Sequence, residues 1–406
     1  MFSSQLSGKS SIRLGIIANE FFDEKISRLG GFGMLSRQIA RAAADASDPK
    51  VKVDLYWGDP PDDIRERTDL NKVYDRPLYI PTRNWKSDKL KRIATRTAPD
   101  VFLTIDYRQT YDYYLYMFQS APLIMWVQDP KTPADWDRIA TSYVPGQEGI
   151  EPQGLGYIDC TPLSKVLEDR RARGSKTVFT VPSPFLEAKI EETYGLKPDE
   201  VSSLCYPMEP VPPGPYEKSD KPTVVVLGRL DPQKRPWVIK DIAAKMPDVT
   251  FRVLGKAHFT GPGAWEPVDL PPNMELYGHV DGEEKQRLIS SSWLSLNTAI
   301  HEGLPIAFVE GLQYEVPIVS CVNPERVPER FGRYVGEFRG TGLESVDAFV
   351  AALRELLDNN DERLNLGREG RDWVARTHSA QAFKDSFKDL CRQFDAQTVK
   401  ETAPAG

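Results

Sequence analysis

Apolar residues along this chain alternate between two rhythms. A near-continuous apolar run at 12–18, IRLGIIA, gives way to a polar loop and then to GGFGMLSRQIARAAADA, where apolar positions recur at helical spacing. The pair repeats with VKVDLYW from Val51, a basic helical stretch from Lys86 ending at Pro99, VFLTI from Val101, a helical stretch at 111–120 and PLIMWV from Pro122. Unbroken apolar strands, each followed by a helix, predict a parallel sheet covered on both faces. A Pro- and Gly-rich stretch at 145–162 interrupts the rhythm, and 145–175 is left without an assigned structure. KTVFTV from Lys176, a helix ending at Gly195 and VSSLCY from Val201 then resume it.

The segment EPVPPGPYEKSDKP, 209–222, holds five prolines and no apolar run, which marks a domain boundary. Beyond it the same order starts again, with strands TVVVLG from Thr223, TFRVLG from Thr250, MELYG from Met274, WLSLNT from Trp293 and PIVSCV from Pro317. Helices are predicted at 236–246, 283–291, from Pro305, and at 344–358, 361–376 and 380–394. The expected architecture is α/β, with two doubly wound domains at 1–209 and 210–379. Ligands of such sheets sit at the carboxyl ends of the strands, so the cleft between the halves is the expected site.

Composition narrows the function. A chain of 406 residues, 40% hydrophobic and 27% charged, has enough material for two cores. The net charge of −7 leaves neither half basic, which excludes a nucleic-acid partner. No stretch approaches the roughly 20 apolar residues of a spanning helix, and MFSSQLSGKSS lacks the apolar core of a signal peptide. A soluble cytoplasmic protein without a transmembrane segment is the expectation. Cys160, Cys205, Cys321 and Cys391 have no metal-ligand or redox spacing and read as reduced thiols.

The string LNTAIHEGLPIAFVEGLQYEVPIVS carries the most chemistry. A strand ends, a turn holds Glu302 and Gly303, and a helix opens near Pro305, where proline's missing N–H is tolerated. The N–H groups of Gly303, Leu304 and the first turn then form an anion site that suits a diphosphate. Glu302 and Glu310 would flank it and accept hydrogen bonds from sugar hydroxyls. The alternative is that Glu302 caps the helix and Glu310 faces solvent. In VVVLGRLDPQKRP, Arg229 follows a strand end and Lys234 opens the next helix, so two cations stand on the same rim, placed to neutralise a leaving diphosphate.

Gly228-Arg229 with Lys234, YGHV at Tyr277 and HEGLPIAFVE together resemble the donor-binding domain of glycosyltransferase family 4, the retaining nucleotide-sugar enzymes of GT-B fold. GGFGMLSRQIARAAAD and TVFTVPSPFLEAKIEETYGLKPDEV are similar to that family's first glycine loop and last N-domain strand and helix. The resemblance covers nearly the whole chain except 130–175. It implies that Arg229 and Lys234 bind the donor diphosphate, that Glu302 contacts the transferred sugar and that Glu310 takes the ribose hydroxyls. It also implies that Gly31 lets the N-domain backbone approach the phosphates, that the base lies near Lys256 and Val280, and that 380–396 packs back on the first domain. The implied reaction moves a hexose to a hydroxyl of a glycan, lipid-linked or small-molecule acceptor. No metal or other cofactor is needed, and peripheral membrane contact is allowed.

Two departures stand out. Gln128-Asp129 replaces the His-Asp pair frequent in the family, which leaves the hexose open, and Pro305 replaces a glycine of the glutamate motif. Gln128 and Asp129 are contacts for the sugar or acceptor; Asp129 also reads as a cap for the helix after Pro130. His301 reads as buried beneath the turn, with orientation of Glu302 as its other role. The aromatic run Tyr107, Tyr111, Tyr113, Tyr114, Tyr116 and Phe118 reads as helix packing, with stacking on a sugar as the alternative. The basic stretches 86–96 and 170–176 read as solvated faces, with an anionic acceptor or a membrane surface as the alternative. A GT-B nucleotide-sugar epimerase, with Asp106 and Asp129 as its available carboxylates, and a non-catalytic nucleotide-sugar binder remain the competing functions.

Overall fold

A computed structural model describes residues 6, 8–21, 26, 31–44, 50–65, 67, 69–81, 98–119, 121–156, 161–195 and 201–402. The predicted basic stretch 86–96 and Cys160 lie outside these. The chain divides into two compact units, one of Met1–Pro130, Asp159–Glu209 and His378–Gly406, the other of Lys131–Ile158 and Pro210–Thr377.

The first unit is built on strands β1 (Ser11–Ala18), β2 (Lys50–Trp57), β3 (Lys72–Val73), β4 (Arg76–Tyr79), β5 (Val101–Ile105), β6 (Leu123–Trp126), β7 (Thr177–Val181) and β8 (Val201–Ser203). They form one sheet in the order β3-β4-β2-β1-β5-β6-β7-β8. Pairing is parallel except between β3 and β4. Every residue of β5 and β6 is buried, so the sheet is covered on both sides, as the unbroken apolar runs predict. The aromatic run is core packing except for Tyr116, which is exposed. Tyr111 and Tyr114 are fully buried, and Tyr56 stacks on Tyr79 at 4.8 Å while meeting Phe102 and Tyr114 edge-on. The last helix, Ala380–Thr402, belongs to this unit, with Phe383 against Trp126 at a centroid distance of 6.1 Å.

The second unit has strands β9 (Thr223–Leu227), β10 (Thr250–Leu254), β11 (Met274–Gly278), β12 (Leu294–Asn297), β13 (Ile318–Ser320) and β14 (Gly332–Tyr334). Their order is β11-β10-β9-β12-β13-β14, and all pairs are parallel. Counted within the unit this is 3-2-1-4-5-6, the doubly wound order, with its reversal between β9 and β12. Strand alternation shows why β9 had to be continuously apolar. Val224 and Val226 enter a core with Trp237, Ile239 and Phe349, whereas Val225 packs with Leu288, Tyr314 and Val316 on the other face.

The expected first domain, 1–209, is interrupted, because 131–158 folds with the second unit. Its helix is capped locally, and the burial of Val144 and two hydrogen bonds tie the segment to that unit. The helix Pro133–Ile139 starts in a capping box of Thr132 and Asp135, so Thr132, not Asp129, is the cap. Val144, nearly fully buried, joins the core that contains Leu230 and Trp237. The Gln153 N–H donates to the Gly263 carbonyl at 2.8 Å and Gln147 Nε2 to that of Ala264 at 2.9 Å.

Candidate active site

The residues singled out in the second half gather where its sheet reverses. Past β9, Gly228 has φ +142°, a backbone that side-chain-bearing residues avoid. Past β10, a Cβ on Gly255 would stand 1.8 Å from the Gly228 carbonyl oxygen, so the two strand ends touch backbone to backbone. The Leu230 N–H donates to the Lys256 carbonyl at 2.9 Å and extends that contact. Arg229, half-exposed, pairs through Nε with Asp231 at 3.1 Å; the other carboxylate oxygen of Asp231 is buried without a hydrogen-bond partner among the described residues.

Lys234 closes the short 3-10 turn Pro232–Lys234 and Arg235 follows in the left-handed region at φ 48°. The Arg235 guanidinium is buried and donates to the carbonyls of Ala299, 3.3 Å, and Phe338, 3.0 Å. Burial pulls its pKa below the usual arginine value. The loop after β9 is then stitched to the loop after β12. Thr298 Oγ1 donates to the Lys234 carbonyl at 2.6 Å, the Ile300 N–H to that of Gln233 at 3.0 Å, and Gln233 Nε2 to that of His301 at 3.0 Å. Lys234 and Glu302 therefore sit on one braced platform.

Lys234 forms an ion pair with Glu302, whose Oε1 also accepts from Asn297 Nδ2 at 3.1 Å. Glu302 is no helix cap. The helix runs Ile306–Gln313, one residue later than predicted, because Pro305 adopts an extended backbone (ψ 127°) as its N-cap. Gly303 and Leu304 are buried between the turn and this helix. Glu310 does not face solvent; Lys285 from the helix Gly282–Ser290 binds it at 2.6 Å, and both side chains are largely buried. Lys256, exposed, and Val280, packed beside Leu227 and Tyr277, follow the ends of β10 and β11.

Arg229, Lys234, Lys256, Val280, Glu302, Gly303, Leu304 and Glu310 are thus brought to one rim of one sheet. Gly31, Gln128 and Asp129 belong to the first unit. There Gly31 opens the helix Gly31–Ala44, and Gln128, buried just past β6, donates through Nε2 to the Trp126 carbonyl at 3.3 Å. Sequence reasoning missed the partners Asp231, Lys285 and Asn297. It also missed a buried cluster on the helix Pro133–Ile139, in which Arg138 Nη2 lies 2.9 Å from His301 Nδ1 and 3.2 Å from Asp135 Oδ1. Asp231 and Lys285 carry a weak signal as charges close to strand and helix ends; the Arg138 contact spans 163 positions and carries none. Among the described residues no group of three or more His, Cys, Asp or Glu is placed to hold a metal, and no helix is long and apolar enough to cross a membrane.

Two parallel-sheet Rossmann-like units, the second with cations and carboxylates at its reversal point, are the GT-B architecture of glycosyltransferases. Residues 212–373 match the family model for glycosyl transferases group 1. Solved structures of the same fold include sucrose-phosphate synthase from Thermosynechococcus elongatus. It is 15% identical with a TM-score of 0.67, over 95% of this chain and 100% of that one. HepE of Anabaena, solved in complex with UDP-glucose, is 12% identical with a TM-score of 0.64, over 93% and 99%. A glycosyltransferase from Rickettsia africae is 12% identical with a TM-score of 0.64, over 95% and 98%.

Proposed function

We propose that the protein is a retaining glycosyltransferase that moves a hexose from a nucleoside diphosphate sugar to a hydroxyl of a glycan, lipid-linked or small-molecule acceptor. One observation carries the reading: the Lys234–Glu302 pair, with Arg229 in the same loop after β9, stands at the reversal point of a sheet whose residues match the glycosyl transferase family. Arg229 and Lys234 bind the diphosphate. Lysine has three N–H donors, so Lys234 holds Glu302 and reaches a phosphate oxygen together. Glu302 accepts from hydroxyls of the transferred sugar and Glu310, oriented by Lys285, from those of the ribose. Lys256 and Val280 border the base; Gly31, Gln128 and Asp129 serve the phosphates, the sugar and the acceptor.

As the sugar–phosphate bond breaks, negative charge grows on the diphosphate, and each preorganised donor there contributes about 3 kcal/mol of barrier lowering. The departing phosphate oxygen takes the proton of the incoming hydroxyl, on the face from which it leaves, and the anomeric configuration is kept. This scheme runs without a metal and in the cytoplasm. HepE's complex makes UDP-glucose the first donor to try. Nucleotide release from UDP-, GDP- and dTDP-hexoses, with and without oligosaccharide acceptors and with EDTA, tests the proposal, and the anomeric coupling in the product reads retention. Acceptor-dependent release is the expected result. Absence of release and of thermal stabilisation with every donor would overturn it.

A further inference from the structure

The segment 131–158 lies outside the residues matched by the family model, yet its first helix reaches the residue next to Glu302. His301 is fully buried and Arg138 Nη2 stands 2.9 Å from its Nδ1. A guanidinium stays protonated and can only donate, so Nδ1 must present its lone pair and the ring proton sits on Nε2. Asp135 Oδ1, 3.4 Å from the same nitrogen, cannot then be its hydrogen-bond partner. Its work is to hold Arg138, which it meets at 3.2 Å while locked in the capping box with Thr132. The other arm of Arg138 is fixed by Glu337 at 2.7 Å.

The His301 residue is thus gripped from two sides, its ring by Arg138 and its carbonyl by Gln233 at 3.0 Å. Glu302 is the next residue, and its carboxylate is set by Asn297 and Lys234. We propose that Asp135 and Arg138 are positioning residues for Glu302, acting through His301, which they hold neutral with its proton on Nε2. The effect on turnover rests on the function proposed above; the tautomer does not. Misplacing a sugar-contacting carboxylate by a fraction of an ångström costs turnover more than binding of the nucleotide, which is held elsewhere on the rim.

The experiment uses the full chain labelled with 15N-histidine, and Arg138→Met, Arg138→Lys, Asp135→Asn and Thr141→Ala variants. Thr141 also anchors the segment, accepting from the Gly340 N–H at 3.0 Å and donating to the Arg138 main-chain carbonyl at 2.7 Å; the hydroxyl has no hydrogen bond to the Arg138 guanidinium or to His301, so it controls for general loosening of the helix end. Expected is an Nε2–H signature for His301 in the parent, lost in Arg138→Met. With the best donor found, kcat should fall about tenfold to hundredfold in Arg138→Met and Asp135→Asn, with donor KM changed less than about threefold. Arg138→Lys should recover part of the loss and Thr141→Ala should show none. A parent spectrum with the proton on Nδ1, or an unchanged kcat in a folded Arg138→Met protein, would overturn the inference. A parent that turns over no nucleotide sugar would overturn the proposed function and the kinetic claim with it, and leave the tautomer to be judged by its spectrum.

Discussion

At the scale of single residues, most charges on the rim of the second sheet own a partner. Lys234 is tied to Glu302 and Glu310 to Lys285, both in half-buried surroundings where screening is weak. In the proposed function Lys234→Ala removes a leaving-group contact, and it leaves Glu302 without its cation, so kcat should fall about a hundredfold in a nucleotide-release assay. Lys285→Met should act differently: its ammonium binds Glu310, which takes the ribose hydroxyls in the proposed function, so donor KM should rise about tenfold with kcat nearly kept, as in Glu310→Ala. An equal fall of kcat in Lys285→Met would contradict that division of labour. Arg229, Lys234, Glu302 and Glu310 were legible in the sequence because each lies within a few positions of a strand or helix end. Their partners were not, because pairing across a sheet depends on which strands become neighbours, and a one-dimensional pattern does not encode that.

At the scale of elements, strands were easier to read than helices. Continuous apolar runs such as VFLTI and LIMW announce themselves because both faces are buried. The pair β3 and β4, RPLY against KV, is short and mixed in polarity, and the helix Pro133–Ile139 carries only two buried side chains, Asp135 and Ile139, so neither shows a clear period. Helix ends are held by unexpected residues. Arg363, nearly buried in the helix Asn360–Thr377, donates to the carbonyls of Leu356 and Leu357 at 2.9 and 3.1 Å. These close the preceding helix Val346–Asp358, and the guanidinium also lies over Trp293 at 4.3 Å. Arg363→Met keeps the stem and leaves both carbonyls unpaired, so urea unfolding should show a loss of about 2 kcal/mol.

At the scale of the whole molecule, two buried groups of the first unit set opposing responses to acid. Burial lowers the His378 pKa to about 4, while its Nδ1 accepts from the Tyr206 N–H at 3.2 Å. The unfolded chain binds this proton more readily, so stability is lost as pH falls from about 6.5 towards 4, by about 3 kcal/mol in full. Asp112 goes the other way. Burial raises its carboxyl to about 6, against a smaller opposing effect of the Tyr107 hydroxyl. Its folded form binds the proton first, and stability rises as pH falls through 6 to the unfolded value near 3.8. Melting curves between pH 7.5 and 4.5 should therefore steepen towards acid in Asp112→Asn and flatten or reverse in His378→Gln. The three thiols described, Cys205, Cys321 and Cys391, are pushed up to about 12, 11 and 12 by burial and stay unreactive through this range.

The polypeptide passes between its two units four times, at 130/131, 158/159, 209/210 and 377/378. Recombination at the proline-rich joint alone would not transplant the whole second unit. A chimera cut there inherits the sheet and its charges but takes its Arg138 and Val144 equivalents from the other parent. Exchanging the second unit between relatives thus calls for two inserts moved as a pair, and libraries shuffled at the single joint should yield mostly unstable hybrids.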